Sequence, residues 1–148
     1  MIKILYDFFV CYLASFFFGI LFRTPKKNIF AASFLGGMGY VIYYAVYSVS
    51  SLVIGYFAGT LFISIFSEVL ARYRKTPALI FITPAVIPLV PGAGLYETMR
   101  YFVYGDVING IAKCIETLSC AGVMAVAIAL PPMVIKVLRV SKENKNQN

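Results

Sequence analysis

Long apolar runs alternate with short polar gaps along the whole chain, and they cover residues 4–22, 29–47, 52–71, 78–96 and 107–137. A helix rises about 1.5 Å per residue, so about twenty residues cross a hydrocarbon core of roughly 30 Å. The pattern therefore predicts an all-α integral membrane bundle of five transmembrane helices. We expect residues 1–138 to form one transmembrane domain and residues 139–148 to form a disordered cytoplasmic tail, because that tail is short and polar.

The first run is predicted to be retained as a helix. Basic residues and Pro25 follow Phe22, whereas a cleaved signal peptide would end in small residues. Lys and Arg are concentrated in the gap over residues 23–27, the gap over 72–75 and the tail, while the gap over 48–51 has none. Because basic residues favour the cytoplasmic side, we expect the N-terminus outside and the C-terminus in the cytoplasm.

Composition agrees with the membrane class, since 61% of the 148 residues are hydrophobic and only 13% are charged. The net charge of +7 is confined to the gaps, which argues against a nucleic-acid surface. There is no His, no nucleophile elbow and no phosphate-binding loop, so we expect no enzyme, no cofactor and no metal.

Residues 83–96 read TPAVIPLVPGAGLY and interrupt an otherwise helical run. Each proline lacks an N–H and crowds the preceding turn, and lipid cannot satisfy the carbonyls that are freed. The pattern predicts a fourth helix broken by Pro and Gly, or, alternatively, a kink in a packed helix. The candidate residues for substrate binding or gating are Thr83, Pro84, Pro88, Pro91, Gly92, Gly94 and Tyr96.

Few ionisable residues lie within or beside the apolar runs, and such residues usually face a bundle interior or a cavity. The candidates for proton or charge coupling are Glu68, Glu97, Lys113 and Glu116. For Glu68, the alternative to a coupling role is an interfacial ion pair with Arg72. For Lys113 and Glu116, the alternative is that both lie on a solvated surface helix. Separately, small residues predict close helix packing at Gly36, Gly55 and Gly59.

Three blocks resemble the threonine/serine exporter family of bacteria: GGMGYVIYY within residues 34–44, SEVLARYRKTPA at 67–78 and IPLVPGAGLY at 87–96. The resemblance is to the family's smaller five-helix component, which is either the second half of a fused protein or a separate subunit. It implies a multi-pass inner-membrane protein that exports threonine, serine or a similar small hydrophilic metabolite, with proton coupling. The matching motif positions are Glu68, Arg72, Pro77, Pro88, Pro91, Gly92 and Tyr96.

A partner is expected on physical grounds as well, because five helices cannot form an inverted repeat alone. The resemblance implies a second five-helix membrane subunit, and a homo-oligomer is the alternative. Two other functions remain open: a subunit of a dicarboxylate exporter, and a membrane scaffold that transports nothing. A channel is disfavoured because the chain supplies no ring of pore charges.

Overall fold

In the computed structural model, the backbone is described for residues 2–145 and the side chains for residues 3–137. Every regular element in this part is helical, which confirms the predicted all-α class. The six α-helices of the described part are α1 (Ile2–Leu21), α2 (Lys26–Tyr47), α3 (Leu52–Arg74), α4 (Leu79–Val86), α5 (Gly92–Val103) and α6 (Val107–Lys145). A 3₁₀ turn, Ile87–Leu89, stands between α4 and α5.

Four of the described helices are long and apolar enough to cross a bilayer: α1, α2, α3 and α6. The number rises to five if α4 and α5, whose axes differ by 46°, form one bent span. That they form one broken span stays a prediction, as does the orientation with the N-terminus outside.

Helices α2 and α3 form the centre of the bundle and run antiparallel. A Cβ added to Gly59 of α3 would lie 2.7 Å from the Gly39 carbonyl oxygen of α2, so the two backbones touch here. A Cβ on Gly55 would lie 3.1 Å from the Tyr43 carbonyl oxygen, one turn away. Helix α1 packs on the outside of α2, α6 packs on α3, and α4 covers α2 and α3 from one side.

Three helices of the described part end in the same type of turn, which contains one residue in the left-handed conformation. The N–H of the next residue donates to the carbonyl oxygen five residues before it, at N–O distances of 2.9–3.0 Å. The left-handed residues are Arg23 (φ 55°), Lys75 (φ 51°) and Gly105 (φ 77°). Glycine adopts this conformation without strain, whereas Arg23 and Lys75 adopt it at a cost. Both basic residues lie at the predicted cytoplasmic end, and Gly105 lies at the other end.

The second half of the chain differs in two places from the boundaries expected from composition. We predicted that the fourth run would end at Tyr96, but α5 continues unbroken from Gly92 to Val103. The polar and apolar parts of the last run also form one helix, α6, which passes through Pro131 and Pro132. The last turns of α6 overlap the tail that we predicted over residues 139–148. Residues 146–148 lie outside the described residues, and the disorder of the tail stays a prediction.

Candidate functional site

The backbone leaves helical geometry between α4 and α5, within the stretch that contains the prolines. After the 3₁₀ turn, Val90 is extended (φ −56°, ψ 129°) and Pro91 stands at the N-terminal cap of α5. Pro91 has no N–H to donate to the Ile87 carbonyl, four residues earlier. That carbonyl is still paired, because the Val90 N–H donates to it at 3.1 Å. The break is therefore a defined turn that ends one helix and starts another.

This turn is buried on one side, where Leu89 points into the bundle beside the end of α4, and exposed on the other, where Val90 is 50% exposed. Ala85 is fully buried and Leu89 is 2% exposed. A Cβ on Gly36 of α2 would lie 3.2 Å from the Ala85 carbonyl oxygen, and one on Gly59 of α3 would lie 2.9 Å from Leu89 Cδ2. Small residues of α2 and α3 thus allow the end of α4 and the Leu89 side of the turn to pack closely against the bundle.

Two buried hydroxyl groups lie in helices that pack against this segment. Ser15 of α1 lies against the same face of Gly36 that meets the Ala85 carbonyl, near the end of α4. Thr60 of α3 is one turn before Ser64, whose hydroxyl donates to the Ile128 carbonyl of α6. Both side chains are fully buried, and neither hydroxyl has a hydrogen-bond partner among the described residues. Buried polar groups are normally paired, so these unpaired hydroxyls are candidates for contact with a water molecule or a hydrophilic solute.

A cluster of three charges joins α5 to α6. The Lys113 ammonium lies 3.1 Å from Glu97 Oε2 on α5 and 3.0 Å from Glu116 Oε2 on its own helix. The structure thus brings together three of the four residues predicted for charge coupling. Asp106, directly before α6, lies outside this cluster: it accepts a hydrogen bond from the Asn109 N–H and caps α6.

Helix α5 packs against α6 and against no other described helix. The seam is tight because a Cβ on Gly94 would collide with Thr117 Oγ1, so this predicted gating residue lies at a helix contact. Tyr96 is 69% exposed on the outer face of α5, and nothing lies within 4 Å of the Cβ position of Gly92.

The fourth charge-coupling candidate, Glu68, lies far from this cluster. It lines a cavity of about 450 Å³ at the other end of the bundle, together with Arg72, Lys75 and Lys136. Pro132, on the opposite wall, is nineteen residues beyond Lys113 along α6, or about 28 Å. Thr83 lines a separate cavity beside the turn between α1 and α2. The predicted residues therefore occupy several regions and not one site.

Sequence reasoning missed the buried hydroxyls. Thr60, Ser64 and Ser67 lie four and three residues apart on α3, and all are fully buried. This spacing puts them on one face of a helix, so a search for polar stripes within apolar runs would have found them. Ser15 has no such signal, because its position depends on how α1 packs against α2.

A family model described as "Threonine/Serine exporter, ThrE" matches residues 7–134. The chain belongs to this family. The model describes a family of exporters, and the helices of the described residues that are long and apolar enough to cross a bilayer agree with a multi-pass membrane protein. The match confirms the family resemblance of the three sequence blocks.

Among curated proteins, an uncharacterized protein of Haemophilus influenzae (strain ATCC 51907 / DSM 11121 / KW20 / Rd) is 26% identical over 141 residues. The alignment covers 88% of this chain and 47% of the relative, so the chain spans about half the length of that protein. No solved structure matches the chain.

Proposed function

We propose that this chain is the small subunit of a secondary exporter that moves threonine, serine or a similar small hydrophilic metabolite out of the cell. The observation that carries the proposal is the helix interruption between α4 and α5, together with the unpaired buried hydroxyls of Ser15 and Thr60 in two helices that pack against it. Carriers commonly bind solutes at helix interruptions, where backbone groups and helix ends can contact the solute. Family membership supports the same function, and the bacterial inner membrane is the location that we propose for it.

Proton coupling is proposed to use the cluster of Glu97, Lys113 and Glu116. With all three side chains ionised, the two carboxylates exceed the single ammonium, so the cluster carries one net negative charge. Uptake of one proton by a carboxylate makes it neutral, and this change in charge can be linked to the position of α5 against α6.

The same charge balance favours an amino acid over a dicarboxylate. Lys113 is the only cation in this cluster, and two carboxylates already contact it. A substrate dianion would be repelled by the net negative charge, whereas an amino acid carries both signs and hydroxyl groups can bind its polar atoms.

A second five-helix subunit is proposed to complete the exporter. The relative from Haemophilus influenzae is about twice as long as the aligned region, which is the length expected if two such units are joined in one chain. Two five-helix units of opposite orientation would also form the inverted repeat that is typical of secondary transporters.

The test of the binding turn is to remove the two unpaired hydroxyls, as Ser15→Ala and Thr60→Val, in cells that express the chain with its companion. Each change should lower threonine and serine export about two- to tenfold, because one hydrogen bond contributes roughly 0.5–1.5 kcal/mol. The folded protein should lose no stability, since neither hydroxyl bonds to the described protein.

Ser33→Ala is the matched control. Ser33 is equally buried, but its hydroxyl donates locally to the Ile29 carbonyl at 2.8 Å. Export that is unchanged in Ser15→Ala and Thr60→Val, or is lowered equally in Ser33→Ala, would show that the turn does not bind the solute.

Coupling is tested separately with Glu97→Gln and Glu116→Gln, and Asp106→Asn, which keeps a helix cap, is the control. We expect export in the first two variants to lose its dependence on the proton gradient. Succinate, offered in place of the amino acids, should not be exported, and export of succinate with retained gradient dependence would instead favour the dicarboxylate function.

A further inference from the structure

The seam between α3 and α6 carries two adjoining cavities of different chemistry. The first, of about 450 Å³, is lined by Arg72, Lys75 and Lys136 with Glu68. The second, of about 290 Å³, is lined only by apolar residues, including Ile65, Val69 and Val134. Ile135 lines both, so a charged pocket continues directly into an apolar groove.

From this continuity we infer that the α3–α6 seam binds an anionic phospholipid, with the phosphate in the charged pocket and an acyl chain in the groove. The pocket has three cationic side chains and one carboxylate, which leaves two net positive charges. Basic pockets between membrane helices bind anionic lipid headgroups. The apolar groove favours a lipid over a soluble anion, because a small anion has no apolar chain to fill the groove.

The charges of this pocket are available to a ligand. Among residues 3–137, both ion pairs belong to Lys113, and none involves the four ionisable side chains of the pocket. Lys75 is held at the mouth in a left-handed conformation that glycine would adopt without strain. The fold therefore keeps a cation at a position where chain geometry alone would favour glycine.

Depth along the helices supports the same ligand. Helices α3 and α6 run side by side in the same direction, and the Ser64 hydroxyl donates to the Ile128 carbonyl at 3.1 Å. The apolar groove begins near this contact, and the charged pocket lies one to two turns further on, at the ends of both apolar runs. Headgroup and acyl chain are arranged in this order across a bilayer interface.

Binding can be measured by native mass spectrometry of the full-length chain in detergent, titrated with dioleoylphosphatidylglycerol or with zwitterionic dioleoylphosphatidylcholine. Phosphatidylglycerol should bind more tightly. Lys75→Gln and Lys136→Gln should each weaken its binding about fivefold, or about 1 kcal/mol, the contribution of one basic residue near an anionic surface. Lys27→Gln removes a charge from the same predicted face but from none of the cavities described above, and it should change binding little.

The groove is tested by Val69→Trp, which fills it without changing charge. Ile54→Trp is the control, since Ile54 is on the same helix and is similarly exposed, at 52% against 55% for Val69. We expect Val69→Trp to weaken phosphatidylglycerol binding at least fivefold and Ile54→Trp to have little effect.

Equal binding of the two lipids, or equal losses in Lys27→Gln and Lys75→Gln, would overturn the inference. A third outcome would also overturn it: Lys75→Gln and Lys136→Gln weaken phosphatidylglycerol binding, Val69→Trp does not, and inorganic phosphate or succinate displaces the lipid. The pocket would then bind a soluble anion. None of these outcomes depends on whether the chain exports an amino acid.

Discussion

Replacing Gly59 by alanine tests how closely the turn and the central helices are packed. The added Cβ would lie 2.7 Å from the Gly39 carbonyl oxygen and 2.9 Å from Leu89 Cδ2. Leu89 is a side chain whose end can move, but the carbonyl belongs to the backbone of α2. Helices α2 and α3 must therefore separate by about 0.7 Å before this contact reaches an ordinary 3.4 Å.

The expected cost follows from overpacking, which typically destabilises a core by about 1–3 kcal/mol. Alanine also favours a helix over glycine by up to about 1 kcal/mol, so this gain must be measured separately. Gly122→Ala supplies the measurement, because Gly122 is also inside a helix and nothing lies within 4 Å of its Cβ position. The free energies of unfolding of the two variants should differ by the cost of the steric collision at Gly59, about 1–3 kcal/mol.

Unfolding of the purified protein in mixed micelles, titrated with sodium dodecyl sulfate, measures both free energies. Gly59→Ala should unfold at lower detergent fraction than the unmodified chain, and Gly122→Ala at equal or higher fraction. Because separation of the central helices also moves Leu89, export should fall in Gly59→Ala alone. Equal stability of the two alanine variants would refute the close approach of α2, α3 and the turn.

Two further predictions concern charged residues. A double-mutant cycle of Glu97→Gln and Lys113→Gln should give a coupling energy of about 0.2–1 kcal/mol in the same unfolding assay, because the Glu97 side chain is 42% exposed. A coupling energy above about 3 kcal/mol would contradict this exposure and would mean that the ion pair is dehydrated. Lys75→Gly and Arg23→Gly should each raise the free energy of unfolding by up to about 1 kcal/mol, since both residues have positive φ; a loss in both would contradict the left-handed turns, and only Lys75→Gly should also weaken lipid binding.

Local chemistry made parts of this fold predictable. Pro88 and Pro91 lie three residues apart and Gly92 follows them, so a turn could be expected here, although Pro84 is accommodated inside α4 and Pro131 and Pro132 inside α6. Lys113 and Glu116 are three residues apart, so their pairing on one helix follows from its period. Both inferences need only neighbours along the chain.

Contacts between distant segments could not be predicted in the same way. Glu97 reaches Lys113 because Gly105, with a positive φ, lets α5 fold back along α6. Ser15 meets Gly36 only because α1 and α2 pack in one particular register. The basic residues Lys75 and Lys136 were visible in the sequence as markers of orientation, but their shared pocket depends on α3 and α6 lying side by side.

Charge distribution supports the proposal that a partner chain completes the transport site. Residues 117–135 of α6 include no charged side chain, which is a length of about 28 Å, nearly the thickness of a hydrocarbon core. A charged group near the bilayer centre costs at least about 2.5–3.5 kcal/mol, so the two charges of an amino acid cost about twice that. The hydroxyls of Ser15 and Thr60 recover only about 0.5–1.5 kcal/mol each. We propose that charges or helix ends of a second chain, presented beside the turn, offset the remaining cost.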